Sequence, residues 1–353
     1  MTSHADGSLI SVIIPTRGRA KLLAKVLEAL AAQTLSASQF EVIVVMDGPD
    51  AATEQMLRGR SFPYSLSWLS QPHKGTAAAR GLGVGAARAP VLVFIDDDII
   101  ATPEFLHAHY AAHQQESQVV VLGALKPPPG SVAGLPGQAD DWTQAHFNRC
   151  SMGGYQPVWT DLLGANFSVS KDAVLRAGGW DEEFQGYGGN EDRDLALRLG
   201  RLGMRFRFEA EALGYHYQTK GWVHVLRDVR QAGRSYPHYL EKHAHDMRGI
   251  SWAASSPWRR LLYRAIGLCP ELAFKGLYAL ARLTDRIAAN GGSWRPLQGL
   301  VRLSVNAVFL RGVWETPEAA RQILRNLSTQ AHAAPAPVKN AARTRVERFG
   351  KTF

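Results

Sequence analysis

Apolar segments of strand length alternate with segments of helical periodicity along the N-terminal part of the chain. Strands separated by helices of this length predict βαβ units and a largely parallel sheet. A chain of 353 residues can bury a full core around such a sheet, so we expect an α/β fold. The expected strands cover residues 9–15, 41–46, 64–69 and 91–95, and the expected helices cover residues 21–33, 51–58 and 76–87.

The strand at residues 91–95 ends in three consecutive aspartates, Asp96, Asp97 and Asp98. Adjacent carboxylates at the mouth of a buried strand repel one another, so we expect a compensating cation there. Carboxylate oxygens suit Mg²⁺ or Mn²⁺, and Mg²⁺ commonly shares its coordination with substrate phosphates, which makes a diphosphate the expected ligand. The alternative is a solvated loop before a helix that opens near Pro103.

Polar residues also follow the other expected strands. Thr16 and Arg17 come after the first strand, and Asp47 ends the second. In parallel sheets the ligand crevice lies at the carboxyl ends of the strands. The sequence therefore predicts that one site collects these side chains together with the three aspartates.

A series of motifs in this order resembles glycosyltransferase family 2 over about residues 8–218. The resemblance implies a GT-A fold, which is a Rossmann-like, largely parallel central sheet flanked by helices. It also implies a nucleoside-diphosphate sugar donor, a divalent metal (Mg²⁺ or Mn²⁺) and inversion at the anomeric carbon. The motifs are Ser11–Thr16, Val44–Gly48, Lys74–Gly75 with Ala78–Arg80, Asp96–Asp98, Gly164–Ser168, Gly178–Phe184 and Gly188–Leu195.

The resemblance assigns donor binding to residues at the ends of the first four strands. It implies that Asp47 contacts the nucleoside base and that Arg80 makes fork-like contacts to phosphate or base. Arg80 could instead be an ordinary surface arginine, and Asp97 could only shape the turn. Uridine is the commonest nucleotide in the family, which makes a UDP-sugar the default donor. The expected donor-binding residues are Pro15, Thr16, Arg17, Asp47, Lys74, Gly75, Arg80, Asp96 and Asp97.

Metal binding and catalysis are likewise implied by the resemblance. Asp98 would be the direct metal ligand, with Asp96 and His216 as further ligands, although a lone histidine is often structural. Inverting transfer needs a base that deprotonates the acceptor hydroxyl, and the family motif selects Asp192. Its neighbour Glu191 would contact the acceptor or the donor sugar. Either carboxylate could instead only cap the helix expected at residues 191–202.

The acceptor site is expected around Asn166, Trp180 and Gly189, where this family shapes its acceptor pocket. Trp180 could stack on a sugar face or belong to the core. The segment from Lys126 to Tyr155 is rich in Gly and Pro, which predicts a long active-site loop. We expect a glycan or lipid-linked acceptor, because such acceptors are common in the family.

The positive charge of the chain lies in its C-terminal part. Residues from 257 onward contain 16 Lys or Arg and 5 Asp or Glu, whereas the preceding residues carry a formal charge of −2. Residues 260–286 have an amphipathic helical pattern, which can dock on its own domain or, through residues 257–290, on an anionic membrane. Basic charge beside the apolar face makes peripheral membrane association the expectation; Pro270, which would kink or break such a helix, and an apolar stretch at residues 297–310 support internal docking as the alternative.

We therefore expect a GT-A domain with a basic helical extension. The expected segments are an N-terminal tail at residues 1–8, the domain at 9–250 with a donor half at about 9–125 and an acceptor half at about 126–250, the extension at 257–330 and a disordered tail at 331–353.

Several classes of protein are disfavoured by the sequence. No run of 18 apolar residues predicts a transmembrane span, and the polar residues 1–8 do not resemble a signal peptide. The two cysteines, Cys150 and Cys269, do not suggest a disulfide framework. We expect a cytoplasmic protein, with peripheral contact to the inner face of the plasma membrane left open.

Three other functions remain as alternatives. A pseudo-enzyme that only binds a nucleotide sugar has no physical need for Asp96, Asp98 and Asp192 together. A sugar nucleotidyltransferase would need a phosphate loop rich in glycine and arginine after the first strand, which the sequence lacks. A pI of about 9.7 without a recognisable binding module predicts no specific nucleic-acid partner.

Overall fold

The chain divides into two units, one comprising residues 1–186 and 191–219 and the other residues 187–190 and 220–353. The computed structural model describes residues 8–130, 141–184, 190–217, 221–243 and 270–289, and the single residues 305, 308, 309, 311, 312 and 315. The first unit contains the whole sheet, and the second contains helices.

The alternation of strands and helices expected for the N-terminal part is confirmed. Each element forms where its apolar pattern predicts it, with ends that differ by only a few residues. The elements are β1 (Ile10–Thr16), α1 (Ala20–Ala31), β2 (Phe40–Asp47), α2 (Ala51–Arg58), β3 (Ser65–Gln71), α3 (Thr76–Ala86) and β4 (Val91–Ile95).

The remaining strands and α-helices of the first unit follow in chain order. They are β5 (Ile99–Ala101), α4 (Phe105–Gln115), β6 (Val119–Lys126), α5 (Asp141–Cys150), β7 (Asn166–Ser170), α6 (Lys171–Arg176), α7 (Glu191–Arg201) and β8 (Arg205–His216). The second unit contributes α8 (Trp222–Lys242) and α9 (Pro270–Ala289).

Within the described residues, eight strands form one sheet in the order β3-β2-β1-β4-β7-β6-β8-β5. The four strands β1 to β4 are parallel, as expected for βαβ units. Beyond them, β7 is antiparallel to both β4 and β6, β8 is parallel to β6, and β5 is antiparallel to β8. The α/β class is therefore confirmed, and the sheet is parallel in its first half and mixed in its second.

Burial explains why the first strands read as continuous apolar runs. Both β1 and β2 are buried along their whole length, because helices cover the two faces of a parallel sheet. Helix α1 lies against this core through Leu23, Val26, Leu27 and Leu30, which recur at helical spacing and are fully buried. The core thus fixes the positions at which β1 and β2 end.

The predicted loop from Lys126 to Tyr155 is wrong as a continuous loop. Strand β6 reaches Lys126, and α5 occupies residues 141–150, while residues 131–140 lie outside the described part of the chain. Phe147 and Cys150 are buried on α5. The Gly and Pro content of the segment masked this short helix, whose apolar residues are too few to give a clear period.

An irregularity in β8 is accommodated by Asn166. The pairing of β6 with β8 shifts register between Gly123 and Ala124. The Asn166 amide nitrogen donates to the carbonyl oxygens of Ala124 and Ala212, at 3.0 Å each. A Cβ atom on residue 123 would lie 2.3 Å from that nitrogen, so only glycine fits there. Asn166 therefore supplies partners for carbonyl groups at the irregularity.

A chain of hydrogen bonds leads from Asn166 into α4. His109 Nε2 lies 3.0 Å from Asn166 Oδ1, which must accept because the amide nitrogen already donates twice. His109 Nδ1 therefore accepts from Ser168 Oγ at 2.8 Å, and His113 Nε2 donates to the same hydroxyl at 2.9 Å. Burial lowers the pKa of His109 to about 3 and that of His113 to about 4. Both imidazoles are neutral at physiological pH.

The second unit is built on contacts between α8 and α9. Leu226, Ala281 and Val308 form a buried cluster, and partly buried apolar residues such as Leu277 and Tyr278 pack against it. Leu277, Tyr278 and Ala281 of α9 are thus covered within their own unit, which agrees with the internal-docking alternative. Pro270 is the first residue of α9, where a missing N–H costs nothing, so it begins the helix and does not kink it.

Glu315 joins residue 311 to α8 through three arginines. Its carboxylate accepts hydrogen bonds from Arg230, from Arg234 at 2.8 Å and from Arg311 at 2.8 Å. Although burial opposes it, these bonds lower the pKa of Glu315 to about 2.

Among the described residues, none of the helices has both the length and the hydropathy that a membrane span requires.

The neutral histidines make the stability of the first unit sensitive to acid. Each has a folded pKa below its unfolded value of about 6.5, so its stabilising contribution is complete above that pH and is lost as the pH falls toward the folded pKa. We expect the free energy of unfolding to fall by about 1.4 kcal/mol per pH unit for each histidine between pH ~6.5 and ~4. Urea denaturation across this range measures the slope.

His113→Gln should reduce this slope by the share of one histidine, because a glutamine amide can still donate to Ser168 but does not titrate. The matched control is His107→Gln, since His107 is an exposed residue of the same helix. Equal slopes in the two variants would contradict the proposed contribution of the buried chain.

Candidate active site

The carboxyl ends of β1, β2, β3, β4 and β8 meet at one edge of the sheet, because all five strands run in the same direction. This arrangement brings together Thr16, Asp47, the three aspartates at residues 96–98, and His216. The pairing of β5 with β8 sets Ile99 opposite His216, and the Tyr217 amide donates to the Asp98 carbonyl at 2.8 Å. His216 is thus held beside Asp98 by the backbone.

Two arginines supply positive charge next to the aspartates. Arg19 Nη1 donates to Asp97 Oδ1 at 2.9 Å and to Asp98 Oδ2 at 2.7 Å. Arg80 Nη2 donates to Asp96 Oδ1 at 2.9 Å. The sequence selected Arg80 but missed Arg19, because Arg17 is nearer to the strand. The signal that could have revealed Arg19 is the pair of arginines in Thr16-Arg17-Gly18-Arg19.

Both carboxylate oxygens of Asp97 accept hydrogen bonds from other side chains of the protein. Its Oδ2 atom accepts a hydrogen bond from Thr16 Oγ1 at 2.7 Å, and Oδ1 accepts from Arg19. Burial raises the pKa of Asp97 to about 6, although Arg19 and Thr16 oppose the shift. This geometry agrees with a turn-shaping role for Asp97.

Asp98 retains one carboxylate oxygen with no hydrogen-bond partner among the described residues. This atom, Oδ1, is buried and lies 3.5 Å from His216 Nε2. Burial raises the pKa of Asp98, but the nearby His216 and Arg19 hold it below the ordinary value. A spare carboxylate oxygen beside an imidazole nitrogen is a suitable donor set for a divalent metal such as Mn²⁺. Asp96, whose side chain is 34% exposed, lies next to it.

Asp47 differs from Asp98 because both of its carboxylate oxygens are bound by the segment at residues 71–75, which follows β3 in the chain. They accept from the backbone amides of Lys74 and Gly75 at 2.8 to 3.2 Å and from Gln71 at 2.9 Å, and His73 Nδ1 lies 2.7 Å from Oδ2. Although burial opposes it, these bonds lower the pKa of Asp47. The predicted contact between this carboxylate and a nucleoside base therefore competes with an internal role.

The other expected donor residues differ in exposure. Arg17 and Lys74 are exposed at the edge, with Arg17 Nη1 2.8 Å from His73 Nε2 and Lys74 Nζ 3.5 Å from Glu182. Pro15 is buried within β1. Gly75 precedes α3 with a φ of 101°, a conformation that favours glycine. His73 was missed by the sequence reasoning, since a single histidine in a loop carries no pattern.

Asp192 lies in the first turn of α7 and keeps part of its surface exposed. Its Oδ2 atom accepts a hydrogen bond from the Gly164 amide at 3.2 Å, and Oδ1 accepts from the Arg193 amide at 2.8 Å. Its neighbour Glu191 is buried and lies 3.7 Å from Arg80 Nη1. Burial, reinforced by the charge of Asp192, raises the pKa of Glu191 to about 7.

The structure does not support acceptor contacts by Asn166 and Trp180. Asn166 is buried, and both ends of its amide are bonded within the fold as described above. Trp180 is 6% exposed and contacts Phe94 and Arg80, with ring centroids 5.4 Å apart in the first case and the guanidinium carbon 4.9 Å from the ring in the second. Trp180 is therefore a core residue. Gly189 lies outside the described residues.

A second group of potential metal ligands, His146, Cys150 and Asp161, is an internal network. Arg149 Nη2 lies 3.0 Å from both His146 Nδ1 and Asp161 Oδ1, which places a positive charge among the three side chains. Tyr155 donates a further hydrogen bond to Asp161 at 2.7 Å. A cation is disfavoured there, and burial raises the pKa of the Cys150 thiol to about 12.

Two family models match the chain. The model described as Glycosyl transferase family 2 matches residues 11–166, and that described as Glycosyl transferase family group 2 matches residues 91–297. Together they cover the sheet and the edge at which the aspartates lie.

Individual relatives are also glycosyltransferases by name. The chain is 31% identical over 350 residues to validoxylamine A glucosyltransferase of Streptomyces hygroscopicus subsp. jinggangensis (strain 5008), covering 90% of this chain and 79% of that protein. It is 28% identical over 242 residues to chondroitin synthase of Escherichia coli, covering 60% of this chain but 35% of that longer protein.

Among solved structures, a mannosyltransferase, PcManGT from Pyrobaculum calidifontis in complex with GDP-Man and Mn²⁺, matches with a TM-score of 0.60. The identity is 15%, and the match covers 88% of this chain and 89% of that one. S. aureus TarS 1-349 in complex with UDP-GlcNAc matches with a TM-score of 0.50 at 14% identity, covering 94% of each chain. These likenesses identify the fold as GT-A.

Asp47→Asn tests the internal role of Asp47. An amide has only one oxygen to accept the bonds from the following loop, so we expect the free energy of unfolding to fall by about 1–3 kcal/mol. The control is Asp172→Asn, because Asp172 is exposed and should change stability by less than ~0.5 kcal/mol. Unchanged stability in Asp47→Asn together with lost nucleotide affinity would instead support the predicted base contact.

Proposed function

The chain belongs to glycosyltransferase family 2, and we propose that this glycosyltransferase moves a sugar from a nucleoside-diphosphate sugar to an acceptor hydroxyl with inversion at the anomeric carbon. The observation that carries the proposal is the meeting of the three aspartates, His216 and Asp192 around the carboxyl edge of the sheet. A UDP-sugar is the proposed donor, and a glycan or lipid-linked molecule is the proposed acceptor.

The donor lies along the carboxyl ends of β1 to β4. Exposed Arg17 and Lys74 offer positive charge to its diphosphate, and Asp96 is placed to accept from the ribose. Asp47 acts through the loop at residues 71–75, whose position it fixes by accepting two backbone hydrogen bonds. The loop, and not the Asp47 carboxylate alone, then selects the nucleoside base of the donor.

A divalent metal fits beside Asp98. The supporting observation is the buried carboxylate oxygen of Asp98, which has no hydrogen-bond partner in the described part of the chain and lies next to the His216 imidazole. Asp98 and His216 would hold the ion, with Asp96 as a further ligand, and Mn²⁺ and Mg²⁺ both suit this donor set. Such an ion supplies charge stabilisation to the departing diphosphate.

Asp192 is the proposed general base. It accepts the proton of the acceptor hydroxyl while the hydroxyl oxygen forms a bond to the anomeric carbon and the bond from that carbon to the diphosphate breaks. The support for Asp192 over Glu191 is that Asp192 retains solvent access, whereas Glu191 is buried against Arg80. Glu191 therefore has less access to an acceptor than Asp192 has.

Calorimetric titration of UDP, GDP, CDP and dTDP into the protein, with and without Mn²⁺, tests the proposal. We expect one nucleotide to bind and its affinity to depend on the metal. Asp98→Asn should remove the metal-dependent gain and leave the metal-free affinity within about twofold. Folded protein that binds none of the four nucleotides would contradict the proposed donor class.

Once the donor sugar is found by a transfer screen, Asp192→Asn tests the base. We expect kcat to fall by about 100-fold or more, because an amide cannot accept the proton, while the dissociation constant of the nucleotide stays within about twofold. A variant that loses nucleotide affinity but retains kcat at saturating donor would rule out the assignment of Asp192 as the base.

We propose in addition that the exposed face of α9 contacts anionic lipid. Lys275, Arg282 and Arg286 are exposed on this helix, and Leu283 beside them is 50% exposed. Since Leu277 and its neighbours are covered within the unit, such a contact is electrostatic and does not need insertion of the helix. Each basic residue near an anionic surface contributes about 1 kcal/mol, and salt weakens the attraction.

Sedimentation with vesicles of phosphatidylcholine, with and without phosphatidylglycerol, measures this contact. We expect binding only to the anionic vesicles, and we expect the triple variant Lys275→Glu, Arg282→Glu and Arg286→Glu to lose it. The matched control reverses the same charge at Lys21, Lys25 and Arg58, which are exposed residues of the first unit, and should still bind. Wild-type binding to duplex DNA but not to anionic vesicles would contradict the lipid contact.

A further inference from the structure

We infer that Arg80 is a positioning residue that sets the place of the base Asp192, and that it is not a ligand of the donor. The inference rests on the proposed function, because it assigns a task to Arg80 within that reaction. Its basis is the set of internal contacts that surround the guanidinium.

Burial removes Arg80 from the surface that a donor could reach. The residue is 3% exposed, and it lies on α3 with its guanidinium carbon 4.9 Å from the centre of the Trp180 ring. Trp180 is itself held by Phe94 of β4 and Phe167 of β7. Core aromatic residues thus cover the guanidinium and keep it in one orientation.

The guanidinium bonds two segments that lie on either side of the site. Its Nη2 atom donates to Asp96 Oδ1 at the end of β4 and to the Gly164 carbonyl before β7, at 2.9 Å each. Gly164 in turn donates its own amide to Asp192 Oδ2 at 3.2 Å. The peptide groups of one residue therefore connect Arg80 to the base.

Glu191 adds a second connection from Arg80 to the same turn of α7. Its Oε1 atom lies 3.7 Å from Arg80 Nη1, and its side chain is buried. Because Asp96 and Glu191 face the same guanidinium, removing that positive charge would leave two carboxylates in poor solvation. Arg80 therefore balances charge on the donor side and on the base side together.

Arg80 and Asp192 both lie close to the Cα atom of Gly164. A Cβ atom on this residue would lie 2.9 Å from Arg80 Nη1 and 3.2 Å from Asp192 Cβ. Any side chain would push the arginine and the base apart. Glycine at residue 164 is thus required by the approach of both partners, and a methyl group there perturbs the arrangement without removing a charge.

The kinetic consequence follows from the contacts. Displacing Asp192 by about 1 Å costs on the order of 100-fold in rate, because proton transfer needs hydrogen-bond geometry. Of the proposed donor residues, Arg80 contacts only Asp96 in the described part of the chain, whereas Arg17 and Lys74 do not depend on it. Loss of Arg80 should therefore lower kcat far more than it raises the donor KM or the nucleotide dissociation constant.

The test compares Arg80→Gln and Arg80→Lys in the full chain, with the nucleotide and donor identified by the calorimetric and transfer screens. We expect both to lower kcat by about 100-fold and, because only Asp96 of the donor site is disturbed, to raise the dissociation constant of the nucleotide by less than about fivefold. Lysine should not rescue the rate, because one ammonium group cannot occupy the positions of both Nη2, which bonds Asp96 and Gly164, and Nη1, which faces Glu191. The surface variant Arg58→Gln, on exposed α2, is the control for removal of a guanidinium.

Gly164→Ala provides the same test if the Arg80 variants do not fold. It should lower kcat with unchanged nucleotide affinity, whereas the control Gly153→Ala, where a Cβ meets nothing within 4 Å, should behave as wild type. Thermal denaturation of each variant checks that the compared proteins are folded.

A donor-binding role for Arg80 predicts a different pattern. In that case Arg80→Gln would lose nucleotide affinity by tenfold or more, and Arg80→Lys would retain both affinity and kcat, which would overturn the inference. If the wild-type chain transfers no sugar from any donor, the proposed function fails before the variants are compared. The two failures are therefore distinguishable.

Discussion

Repulsion among the three carboxylates at the mouth of β4 is the constraint on which the site depends. The core buries β4 completely, and Asp97 and Asp98 are buried as well, whereas the Asp96 side chain is 34% exposed. Two arginines offset the repulsion: Arg19 donates hydrogen bonds to Asp97 and Asp98, and Arg80 donates one to Asp96. Because these two cations come from different βα units, the balance of charge also joins α1 and α3 to the end of β4. Oδ1 of Asp98 is buried without a hydrogen bond from any described residue, so additional positive charge is favourable there.

His216 reaches this oxygen only because β8 is irregular. A register shift opposite Gly123 and Ala124 breaks the regular ladder, and Asn166 bonds carbonyl groups on both strands there. After the shift, the end of β8 pairs with β5, which follows Asp98 directly. The buried chain from His113 to Asn166 is therefore part of the support of the site, although it touches no reacting group. Protonation of His109 or His113 would disturb the hydrogen bonds that lead to Asn166, and Asn166 bonds the part of β8 that precedes His216.

The sequence predicted those features that depend on local pattern. Continuous apolar runs predicted β1, β2 and β4, and the strand ends predicted the edge that holds Asp47 and Asp98, whereas His216 was expected there only from the resemblance to the family. It could not predict which way a polar or aromatic side chain faces, so Asn166 and Trp180 were expected in an acceptor pocket and lie in the core. Arg19 was missed for the same reason, since its role depends on a contact across 79 residues. The helix α5 was missed because its apolar residues are few.

Asp47 and Asp98 illustrate why residue type and strand position are insufficient to assign a role. Both aspartates are buried at the same edge, and hydrogen bonds or nearby charges lower the pKa of both. Asp47 directs its two oxygens to backbone amides, which satisfies the carboxylate and fixes a loop. Asp98 has one oxygen bonded to Arg19 and one left over beside an imidazole. Hydrogen-bond satisfaction therefore separates a carboxylate that shapes the site from one that can bind a ligand, and only the three-dimensional partners reveal it.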